Sequence, residues 1–194
     1  MENSEARIKY IHKCVQLWYC CDEGDEGDEG YEATPLDFEK MPVSRKNLSR
    51  LLDSGVSPDS YLKRMVPIHS SAEYFNLEPL QLLIDYGADP KLRVQPMTEE
   101  EIEQDIKDEP CEYRSNRRWH QINEGNNALH LIVRDCKEER LDDNKYGHAC
   151  MKAILDKDPS VIHIKNAHGL TPWDMVKDSE APNTKMKSIM EGYM

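Results

Sequence analysis

Apolar residues recur at helical spacing in several short stretches of this 194-residue chain, separated by polar turns. Near the start, Ile8, Ile11, Val15 and Trp18, with Cys14, line one stripe at steps of three and four, the period at which helix positions share a face. Two later helix ends are alike: Leu51-Leu52-Asp53-Ser54-Gly55-Val56-Ser57-Pro58 and Leu83-Ile84-Asp85-Tyr86-Gly87-Ala88-Asp89-Pro90, with glycines 32 residues apart. Each reads as an apolar helix stopped by a glycine free to turn left-handed.

Helix starts recur as well. Val66-Pro67-Ile68-His69, Asn127-Ala128-Leu129-His130 and Thr171-Pro172-Trp173-Asp174 each predict a first turn, and Gly125 and Gly169 precede the last two by one offset. Proline suits that turn because its missing N–H has no helical partner to lose. Residues 47–53 are expected as a further helix, and 183–193 as a terminal one carrying Met186, Ile189 and Met190.

Together these motifs resemble the ankyrin repeat, a turn and two helices opened by Thr-Pro-Leu-His and closed by Gly-Ala-Asp. The segment VPIHSSAEYFNLEPLQLLIDYGADP, residues 66–90, matches nearly throughout, and segments 125–166 and 166–176 match more loosely. The resemblance implies an all-α solenoid forming a single domain, with units near 4–59, 60–90, 123–165 and 166–194 and degenerate end units. Pro67 and Ala128 lie 61 residues apart and Ala128 and Pro172 lie 44 apart, against a repeat period of about 33. Insertions are therefore expected at 91–122 and 136–147, beside a first one at 22–40.

The insertions hold the most individual features. Residues 22–30 repeat Asp-Glu-Gly three times, which reads as an acidic loop, since calcium loops alternate their oxygen ligands and close on a distal Glu. In the second insertion Thr98 and Glu101 have capping-box spacing, Ile102 and Ile106 share a face, and Pro110 ends the helix. A basic-aromatic patch follows, including Tyr113, Arg117, Arg118 and Trp119. It either docks on a partner, as residue types rich in interface energy do, or pairs internally with the acidic helix.

Composition narrows the function. A hydrophobic share of 38% with 9 Gly and 11 Pro excludes collagen-like and fully disordered chains. A net charge of -12 weighs against nucleic acid and against anionic membranes. The six cysteines, Cys14, Cys20, Cys21, Cys111, Cys136 and Cys150, form no C-x-x-C pair. No cationic, apolar leader opens the chain and no run approaches a spanning length of about 18 residues, so a reducing, cytoplasmic setting is expected. That setting would be a host cytoplasm for a pathogen effector.

No phosphate loop, nucleophile elbow or zinc spacing is visible, so neither cofactor nor metal is expected. His148 and Cys150 alone make a poor metal pair, and His69 and His130 take the position to which the family assigns a structural hydrogen bond. The resemblance implies a protein–protein interaction module, an adaptor or inhibitor, that reads its partner with the groove and the 91–122 finger. Carried over by position, the groove would include Met65, Glu73, Tyr74, Asn126, Arg134, Asp135, His168 and Leu170. Two other classes stay open: an enzyme with an unrecognised Cys/His or acidic site in the insertions, and a self-assembling structural subunit.

Overall fold

A computed structural model describes residues 2–17, 43–108, 117–138, 145–177 and 184–194. Trp18, Cys20, Cys21, Cys111, Tyr113, the 22–40 insertion and residues 139–144 of the 136–147 insertion lie outside them. The regular elements of the described residues are helices: α1 (Glu2–Leu17), α2 (Arg45–Asp53), α3 (Pro67–Glu73), α4 (Leu77–Asp85), α5 (Glu99–Asp108), α6 (Arg117–Asn123), α7 (Ala128–Glu138), α8 (Lys145–Lys157), a 3-10 helix (Pro159–His163), α9 (Pro172–Val176) and α10 (Thr184–Glu191). No strand forms among the described residues; Leu62 and Met65 make one isolated antiparallel bridge.

Side chains set the helix starts. The Ser44 hydroxyl accepts the Asn47 N–H at 3.2 Å and opens α2. Thr171 and Asp174 cap each other's backbone N–H groups, at 3.0 Å both ways, and open α9 with Pro172 in the first turn. Thr98 and Glu101 do the same for α5 at 2.7 and 3.2 Å, the box expected from their spacing. Where α7 lacks the Thr-Pro pair, the Asn127 side chain accepts the His130 N–H at 3.0 Å and serves as the cap. Gly55 and Gly87 take φ of 86° and 90° just past α2 and α4, the left-handed turn that frees the chain from the helix.

Helices α1, α3, α7 and α9 pack consecutively in one row. A second row runs from α4 through α8 to α10, and α2 is tied to α4 by Arg45–Glu78 at 2.9 Å and Tyr86–Asp53 at 2.5 Å. Each helix of the first row also meets the helix that follows it in the second. Between the rows lies a continuous core in which Ile11, Ile68, Leu80, Leu83, Leu129, Ile132, Met151, Ile154 and Leu155 are fully buried. Asn76, at the start of α4, donates from Nδ2 to the Val15 carbonyl at 2.6 Å and fastens α1 to the next pair.

Loops at one end of the first row are joined in series. Gln95 N–H donates to the Arg64 carbonyl, Gly125 N–H to the Val94 carbonyl, and Ala167 N–H to the Glu124 carbonyl, at 2.9, 3.0 and 3.2 Å. Two histidines brace the same loops. In His69, Nδ1 accepts the Val66 N–H, which leaves Nε2 protonated and donating to the Leu92 carbonyl at 2.9 Å. In His130, Nδ1 sits against Asn127, 3.2 Å from its backbone nitrogen and 2.7 Å from its Oδ1, and Nε2 lies 3.0 Å from the Leu170 carbonyl. Burial holds both imidazoles near pKa 4, below the usual 6.5, so both are neutral at pH 7.

A cationic cleft beside a buried charge network

Five of the twelve groove and finger positions expected to meet a partner have described side chains that are buried. Arg134, on α7, grips Asp135 with two bonds, Nε to Oδ1 at 2.6 Å and Nη2 to Oδ2 at 2.7 Å. Its Nη2 also lies 3.4 Å from Glu73 Oε1 on α3, and its Nη1 donates to Asn123 Oδ1 on α6. Asn126 extends the network, donating to Asn123 Oδ1 at 3.2 Å and accepting from Asn166 Nδ2 at 2.9 Å. Glu73, Asn126, Arg134 and Asp135 are at most 8% exposed, so the groove charges hold α3, α6, α7 and the 166–170 loop together. Met65 is buried at 6%.

Tyr74 and Leu170 are exposed, at 41% and 46%. His168 is exposed too, with Nε2 3.1 Å from the Gln121 carbonyl. Arg117, Arg118 and Trp119 fall on α6, but their side chains lie outside the described residues. Their neighbour His120 is buried, with Nδ1 3.4 Å from Arg64 Nη1 and Nε2 3.7 Å from Asp105 Oδ2 on α5. Helices α5 and α6 therefore pack on each other and onto the 62–65 turn.

That turn builds a cleft of about 120 Å³ lined by Lys9, His12, Lys13 and Gln16 of α1, residues 62–65, Ser70 of α3 and Asp105 of α5. Helix α1 supplies the polar side of its amphipathic pattern, positions 9, 12, 13 and 16, one face at steps of three and four. Leu62 and Met65 exchange both backbone bonds, at 3.0 and 3.2 Å, so Lys63 and Arg64 form a two-residue turn. Lys63 takes φ of 53° there, a left-handed conformation that favours glycine. Lys63 pairs with Asp105, and Lys9 pairs with Glu5 at 2.9 Å on the exposed side of α1. Arg64 is buried, and its pKa is lowered by that burial while Glu124, Asp105 and Glu73 oppose the shift.

Sequence reading missed this cleft because its walls come from residues far apart along the chain. The one local trace was the Lys9, His12, Lys13 and Gln16 stripe opposite the apolar face of α1. Cys14, Cys136 and Cys150 are buried free thiols, and burial pushes Cys150 up to about 12, so it is protonated and unreactive at neutral pH. Among the described residues no three His, Cys, Asp or Glu side chains are grouped to hold a metal ion, and no helix is long and apolar enough to cross a membrane. No family model matches the chain, and no curated protein matches it.

Proposed function

We propose that this chain is an ankyrin-type repeat protein that acts by binding a protein partner, as an adaptor or inhibitor. The observation that carries the reading is the repeated histidine brace. His69 and His130 sit at the same place in the first turns of α3 and α7, and each ties its own helix to a loop further along the chain, at Leu92 and Leu170. A stack assembled this way presents a long surface of loop ends and first-row helices, and such surfaces serve extended recognition. Tyr74, His168 and Leu170 are the groove residues that this fold leaves open to a partner. Glu73 and Arg134 belong to the scaffold beneath it.

The test is affinity capture with the full chain, followed by reconstitution of the captured protein in purified form. Replacing Tyr74 and Leu170 together by Ala is expected to weaken that complex roughly tenfold or more, with the melting temperature unchanged. A wild-type chain that retains no protein beyond what the double variant retains would defeat the reading.

A further inference from the structure

We propose that the cleft between α1, the 62–65 turn, α3 and α5 is a phosphate subsite, taking a phosphate group that is either free or esterified. Its lining sets Lys9, Lys13, Lys63 and Arg64 against one carboxylate of the lining itself, Asp105, while Glu5 pairs with Lys9 and Glu73 and Glu124 act on Arg64 from outside it. That is a local inversion of charge in a chain with 37 acidic and 25 basic residues. Net negative charge elsewhere repels anions, so a concentrated cationic hollow is where a field would draw one in.

Three further features fit an oxyanion. The hollow has room for a group of phosphate size, and Ser70 adds a neutral donor to its wall. Lys63 stands at a left-handed turn position that glycine would occupy without strain, so its ammonium is held there at some cost to the fold. Asp105, on the inserted helix, occupies Lys63 in the present structure and acts as an internal competitor. A doubly charged phosphate compensates for separating that pair better than a singly charged carboxylate does. The subsite goes beyond the partner reading and does not depend on it.

The test is an NMR titration of the isotopically labelled full chain with inorganic phosphate, at constant ionic strength set with chloride. A parallel titration uses a short phosphoserine peptide and its serine counterpart. Saturable shifts confined to the backbone amides of Lys9, Lys13, Lys63 and Ser70 are expected. Lys13→Gln and Lys63→Gly should each weaken binding roughly tenfold or more. Lys63→Gly also relieves the turn, so the fold should survive it. Asp105→Asn should tighten binding severalfold, because it removes the competitor. Lys165→Gln, at an exposed site outside the cleft, should change nothing.

A phosphopeptide that binds at least tenfold tighter than inorganic phosphate would identify a carried phosphate. Equal affinities would identify the free anion. Shifts spread evenly over Lys152, Lys165 and Lys185, or an Asp105→Asn chain that binds no tighter, would overturn the proposal. So would the absence of saturable binding by both probes, whatever becomes of the partner reading.

Discussion

Gly125 and Gly55 are both left-handed, at φ of 72° and 86°, yet only one of them is crowded. A Cβ on Gly55 meets nothing within 4 Å, whereas on Gly125 it would sit 2.5 Å from the Ala167 backbone nitrogen. Gly55→Ala should therefore cost only the left-handed penalty, about 1 kcal/mol. Gly125→Ala should cost on the order of 3 kcal/mol, because the loop contact to Glu124 must also open. Urea denaturation of the two variants would show it, and equal losses would refute the crowding argument. The buried histidines make a second residue-level prediction. Each has its pKa depressed from 6.5 to about 4, so between those values the unfolded chain binds more protons than the folded one. Their contribution is complete above pH 6.5 and is lost as pH falls toward 4, by up to about 3 kcal/mol for each histidine. Loss of carboxylate charge at low pH relieves self-repulsion and acts oppositely. The measurement is thus the difference in unfolding free energy between wild type and His130→Gln, at pH 7 and at pH 4.5. The gap should shrink at the lower pH; a constant gap would count against a neutral buried His130.

Elements were legible wherever the signal was local. Pro67, Pro172, the glycines after α2 and α4, and the Thr98–Glu101 box each depend on neighbours within a few residues, and each does what its spacing implied. Illegible features joined distant segments: Arg134 meets Glu73 across 61 positions, and Asp105 meets Lys63 across 42. Charged residues at groove positions read as exposed because sequence carries no record of which neighbouring element will cover them. The 3-10 helix Pro159–His163, capped by Asp158, also went unread, since five residues carry too little periodicity. The inserted α5 supplies the prediction at this scale. It rests on buried Ile102, on its capping box and on Asp105, a small footing beside the central core. Ile102→Ala should remove about 2–4 kcal/mol of docking energy and leave the rest standing. Amide exchange in α5 should speed up by roughly thirtyfold to several hundredfold, with α7 unchanged. Equal acceleration in α7 would mean that the insertion and the core unfold as one.

At the scale of the molecule, the two rows of helices pose a question of cooperativity. On the repeat reading, each helix pair is stabilised mainly by its neighbours, and the last pair needs a cap. That cap is α10, whose Met186 and Met190 are buried against α8 and α9. Replacing both methionines by Ala removes apolar contact worth about 2–5 kcal/mol at each site, reduced to the extent that the chain end can settle into the space. In a single cooperative globule the loss would be shared, and every slowly exchanging amide would accelerate by the same factor. In a stack with nearest-neighbour coupling it should fade with distance: large in α9 and α10, moderate in α8, small in α3 and α4. Hydrogen exchange on the double variant reads that profile directly. A graded loss favours the repeat architecture, and with it the expectation of an extended binding face. A uniform loss would remove the physical basis for that expectation, while leaving the cleft beside α1 to stand or fall on its own chemistry.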